Sequence, residues 1–130
     1  MKVRVDRIRD PGVLDQERLV LRVLATTDIG DYALLRTRYD AETVLAGNCD
    51  AFWFPFRPVY KDDLVVVYTK PGVMKEKLLE DGAKAHFFYW GLEYPIWNAD
   101  DRGAVILYAP TWKDNHQQHL MRPRSASATT

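Results

Sequence analysis

Leu64-Val65-Val66-Val67-Tyr68-Thr69, closed by Lys70-Pro71-Gly72, decides the fold class of this chain. Three consecutive valines between a leucine and a tyrosine are stiff at χ1 and suited to a pleated surface, so the run reads as a strand. The proline and glycine that follow end it. Ala104-Val105-Ile106-Leu107-Tyr108 repeats this chemistry near the other end of the chain.

Moving outward, Glu17 to Leu24 is β-rich with Leu19, Leu21 and Val23 on one face. Met1 to Asp10 alternates apolar and charged residues, which predicts a one-sided strand with Val3, Val5 and Ile8 toward the core, stopped by Asp10-Pro11-Gly12. Asp28-Ile29-Gly30-Asp31 reads as a turn and Tyr32 to Tyr39 as a third strand. Ala51 to Phe56 is short and aromatic, and Pro55 confines it to an edge or a strand end. Only Val73 to Glu80 departs from the β pattern. Its good helix formers, ending in Asp81-Gly82, predict one short surface helical segment. Many short strands with closely spaced turn signals predict an all-β chain, a small antiparallel β-sandwich over residues 1–112. The segment 113–130 loses apolar periodicity and is expected to be a disordered tail.

The 130 residues make one domain, with 18 basic residues balancing 18 acidic ones. A zero net charge supplies no global field to steer a polyanion, so nucleic-acid binding gains no support from composition. The single cysteine, Cys49, excludes an internal disulfide framework and fits a reducing compartment, which makes cytoplasmic the expected location. No membrane span or secretory leader is read in the sequence.

Phe87 to Asn98 holds two of the four tryptophans, Trp90 and Trp97, together with Tyr94. A tryptophan just before the polar turn Asn98-Ala99-Asp100 is expected to plug the end of a β-sandwich. The competing expectations are a stacking platform for a sugar or base, or a protein-binding patch, built from Trp90, Tyr94 and Trp97.

Catalytic and metal chemistry finds no anchor. His116 and His119 have a spacing that suits one helical face, but only Asp114 is near them, and a solvated tail is the simpler expectation. His86, between Ala85 and Phe87, reads as a satisfied, half-buried imidazole. Cys49 has an acidic neighbour, Asp50, which works against a thiolate. Asp62-Asp63 and Asp100-Asp101 read as solvated turn pairs without the dense spacing of a calcium loop. No phosphate loop or nucleophile elbow occurs, so no catalytic residue, metal or cofactor is expected. Arg36, Arg38 and Arg57 form at most a basic patch diluted by Asp31, Asp40 and Glu42.

From Phe52 to Tyr108 the chain resembles the lamin-tail domain family of immunoglobulin-like β-sandwiches. The resemblance rests on Phe54-Pro55, the polar turn Lys61-Asp62-Asp63, the valine-rich run to Tyr68 with Gly72 after it, and Trp97-Asn98-Ala99-Asp100-Asp101-Arg102-Gly103 leading into Ala104 to Tyr108. Two departures mark it as divergent. The stretch Ala25 to Gly30 lacks the family's turn asparagine, and Asp62-Asp63 replaces a glycine before the valine-rich strand. The resemblance implies a non-enzymatic protein-interaction module, self-associating or serving a larger assembly, with nucleic-acid contact no more than weak. The alternative is a small ligand- or carbohydrate-binding sandwich that uses the aromatic loop.

Overall fold

The computed structural model describes residues 1–116. His119 and most of the expected tail lie outside the described residues. The strands are β1 (Val3–Arg9), β2 (Arg18–Val23), β3 (Thr27–Asp28), β4 (Tyr32–Asp40), β5 (Thr43–Trp53), β6 (Pro58–Val59), β7 (Leu64–Tyr68), β8 (Lys75–Leu78), β9 (Lys84–Tyr89) and β10 (Arg102–Tyr108). The turn at Asp28 to Asp31 contains a single 3-10 turn, Ile29–Asp31, capped by the Asp28 carboxylate, which accepts from the Gly30 and Arg57 amides. The chain is an all-β sandwich. A five-stranded sheet, in the order β1-β2-β7-β9-β8, faces a three-stranded sheet, β10-β4-β5, while β3 and β6 form a small ribbon.

The valine-rich run is the centre of the larger sheet. Val65 and Val67 lie in register with Leu21 and Leu19 of β2, and with His86 and Phe88 of β9. These meet Tyr32, Leu34 and the half-buried Phe52, Ala104 and Ile106 of the smaller sheet, with Ile29, Phe54, Val59, Ile96 and Trp97 closing the core. In β1 the apolar positions Val5 and Ile8 are three apart, which would send them to opposite faces of a regular strand. A bulge between Val5 and Arg7 absorbs one residue, so Val5 pairs with Leu21 and Ile8 with Leu19. Ile8 reaches the sheet end and stays exposed rather than entering the core.

The expected helix at Val73 to Glu80 is not one. Lys75–Leu78 is the edge strand β8, paired antiparallel with β9. Asp81-Gly82, which suggested a helix end, instead closes the hairpin: Gly82 takes φ +87°, and the Asp81 carboxylate accepts from the Ala83 amide. The sandwich is also not wholly antiparallel, because β7 and β9 run parallel. That follows from the path, since the chain leaves β7, crosses to the edge and returns as β9 between β7 and β8. Finally, β5 begins at Thr43, well before the expected aromatic run, and is interrupted where its register with β4 jumps between Arg36 and Arg38.

Candidate interaction surface

The aromatic loop is pinned from inside. Glu17, fully buried after the turn that follows β1, accepts hydrogen bonds through both carboxylate oxygens. Oε1 takes the Thr69 hydroxyl at 2.6 Å and the Ile96 amide at 2.8 Å, and Oε2 takes the Gly12 amide at 2.8 Å and the Trp97 amide at 3.2 Å. Trp97 thereby enters the core and is 6% exposed. Trp90 is half-buried, its ring 6.3 Å from that of Trp97 at 69° and 5.6 Å from that of Phe52. Tyr94 alone of the three is exposed, at 63%. The structure thus brings Trp90 and Trp97 together edge to face inside the sandwich, with Tyr94 outside, and the three rings form no flat exposed set. No sequence signal marked Glu17, a carboxylate beside a β run that resembles any surface residue.

Asp63 corrects a second expectation. Its partner Asp62 sits in the turn with φ +73°, but Asp63 is buried rather than solvated. Burial alone raises its pKa, yet hydrogen bonds from the Lys84 amide, the His86 ring and the Tyr60 amide outweigh that, and the carboxyl lies below its ordinary value. His86 is buried, with Nε2 2.9 Å from Asp63 Oδ2. Its Nδ1 lies 3.8 Å from Glu76 Oε2, too long for a hydrogen bond. Glu76 holds Arg57 at 3.1 Å and Lys84 at 3.3 Å. The cleft of about 520 Å³ beside it is lined by Arg57, Tyr60, Lys75, Glu76 and Lys84. The arrangement serves to tie the β7 entry and β9 together.

The three arginines expected as a diluted patch are separated and paired. Arg36 donates to the Ile96 carbonyl and to Asp50, Arg38 lies 3.8 Å from Asp101, and Arg57 bonds Glu76. Cys49 is exposed on β5.

The outer face of the smaller sheet is apolar. Register places Leu107, Ala33 and Trp53 in one outward row, and Val105, Leu35 and Ala51 in the next. Trp53 is 53% exposed, and its ring stands 4.4 Å edge to face against that of Trp112. Both ends of this sheet are open, but they differ. The broken register of β5 spoils that edge as a template. β10 pairs with β4 along its whole length without a shift, and among the described residues its other side carries no ladder. Gly103 fits this strand because a Cβ there would lie 2.2 Å from the Tyr39 ring. A largely apolar edge without a ladder partner among the described residues, beside exposed tryptophans, is a template for pairing with another chain.

No protein-family model, no curated protein and no solved structure matches this chain. Among the described residues no helix is long and apolar enough to cross a membrane.

Proposed function

We propose that the chain is a non-enzymatic protein-interaction module of lamin-tail-like type that self-associates through β10 and the outer face of the smaller sheet. The carrying observation is the edge Arg102–Tyr108, unshifted against β4 and without a second ladder among the described residues, with Leu107 exposed on it and Trp53 and Trp112 exposed nearby. The lamin-tail reading is supported by the placement of its motif residues, with Trp97 in the core and the acidic turn after it leading directly into β10.

A second copy suits this edge because β10 is self-complementary. Antiparallel pairing about a two-fold axis at Val105 sets Arg102 opposite Tyr108 of the second copy, and Gly103 opposite its Leu107. No like charges face each other, and the two apolar faces become continuous. Leu107→Lys places a charge in that interface and weakens self-association by at least about tenfold. Leu78→Lys, which removes an exposed leucine from the opposite sheet's edge, leaves it unchanged. Sedimentation velocity across a concentration series reads both. Equal self-association of the two variants, or a wild-type chain that remains monomeric, would sink the proposal.

A further inference from the structure

The zero net charge of the chain conceals a segregation by face. Because Leu19, Leu21, Val65, Val67 and Phe88 point into the core, the alternate residues of the five-stranded sheet point outward. On one side these are Arg4, Arg7 and Arg9 of β1, with Arg18 and Arg22 of β2. On the other side they are Lys75 and Lys77 of β8. Every charged residue at these outward register positions is a cation. Two carboxylates line the clefts of this face and both are paired, Asp6 with Arg7 at 3.3 Å and Glu76 with Arg57 at 3.1 Å and Lys84 at 3.3 Å, while Asp10 holds Arg18 at 3.0 Å.

Between the two cationic rims runs an apolar, aromatic trough formed by β7 and β9. Tyr68 and Tyr89 stack at 5.4 Å with their planes 12° apart, and Phe87 lies 6.3 Å from Tyr68. The Arg18 guanidinium and the Lys70 ammonium stand 5.8 Å and 5.0 Å from the Tyr68 ring centre. Two clefts open onto the trough, one of about 260 Å³ among the arginines and Lys77, the other of about 420 Å³ beside Tyr68 and Tyr89. From β2 to β8 are three strand spacings, roughly 14 Å, wide enough for one extended strand of nucleotides.

We propose that this face binds single-stranded nucleic acid without sequence preference, its phosphates on the arginine rim and its bases on Phe87, beside the mutually stacked Tyr68–Tyr89 pair. Cations that track a backbone beside rings that accept any base plane are the two components of such sites. An anionic membrane is the weaker occupant, because Val20, Val66 and Ala85 lie flush and buried beneath the flanking side chains and no large apolar side chain protrudes from the trough for insertion. A duplex buries its bases and leaves the aromatic trough unused. The trough lies on β7 and β9, two strands in from β1, the strand that neighbours β10, so the base contacts stand or fall independently of the self-association reading.

The test is fluorescence anisotropy of labelled oligo-dT and oligo-rU with the full chain, beside a duplex of equal length, heparin and phosphatidylserine vesicles. Four to six phosphate contacts give a slope of log affinity against log salt of about −3 to −4. The double variant Arg4→Glu/Arg7→Glu on the exposed edge strand weakens single-strand binding by at least about tenfold. Lys61→Glu, a cation lost from a distant turn, does not change it. Phe87→Ala weakens single-strand binding by about tenfold while heparin binding is retained, and circular dichroism verifies that each variant is folded. Absence of single-strand binding at low salt, equal or tighter binding of duplex or vesicles, or equal losses in Lys61→Glu and the arginine variant would each overturn the proposal.

Discussion

Glu17→Gln tests how the aromatic loop is held, because it changes charge and hydrogen-bond polarity without changing shape. The wild-type carboxylate accepts four hydrogen bonds, from Thr69, Ile96, Gly12 and Trp97. An amide keeps one oxygen and turns its NH2 toward two former donors. The Thr69 hydroxyl can rotate and accept from it, but the amide of Ile96 cannot, so at least one buried donor loses its partner. That costs about 1–3 kcal/mol, and demoting the remaining charge-assisted bonds to neutral ones adds about 1 kcal/mol each for two or three bonds. The expected loss is about 3–6 kcal/mol, a large share of the roughly 5–15 kcal/mol that stabilises a domain. Urea denaturation followed by tryptophan fluorescence reads it as a lower midpoint at unchanged slope. A loss below about 1 kcal/mol would refute the claim that Glu17 anchors the loop.

Trp97→Ala removes a buried ring and leaves a cavity, with an expected loss of about 3–5 kcal/mol, whereas Tyr94→Ala stays within about 0.5 kcal/mol; equal midpoints for the two would contradict the placement of Trp97 in the core. Asp63 has a folded pKa below its unfolded value of about 3.9, so the stability it supplies is present above that value and is lost as pH falls through it toward the lower folded one. Denaturation midpoints at neutral pH and across this acid range should therefore fall more steeply for the wild type than for Asp63→Asn, and parallel curves would count against the Asp63 hydrogen-bond set.

The strands whose sequence matches their environment were legible. β2, β7 and β10 are rich in β-branched and aliphatic residues because at least one face of each is packed. β8 was not legible, since Lys75-Glu76-Lys77-Leu78 is exposed throughout and has helix-forming composition. Pairing with β9 overrides that weak local preference. The first part of β5 was hidden for a similar reason, as Ala46, Gly47, Asn48 and Asp50 have poor β propensity. Of the aromatic loop, a plug at Trp97 could be anticipated from the polar turn after it, but its anchor at Glu17 is 80 residues away in the chain. The charge balance was misleading in another way. Summed over the chain it is zero, and only the strand register shows that the arginines of β1 and β2 share the outward face of one sheet.

Hydrogen–deuterium exchange reads the pairing of the β10 edge amide by amide. Amides of Arg102–Tyr108 that point away from β4 have no ladder partner among the described residues and gain one when a second copy pairs there. Raising the protein from micromolar toward millimolar concentration should slow exchange in the peptide covering β10 and leave that of the other edge strand, β8, unchanged. Exchange in β10 that is indifferent to concentration, or that slows no more than in β8, would contradict the account.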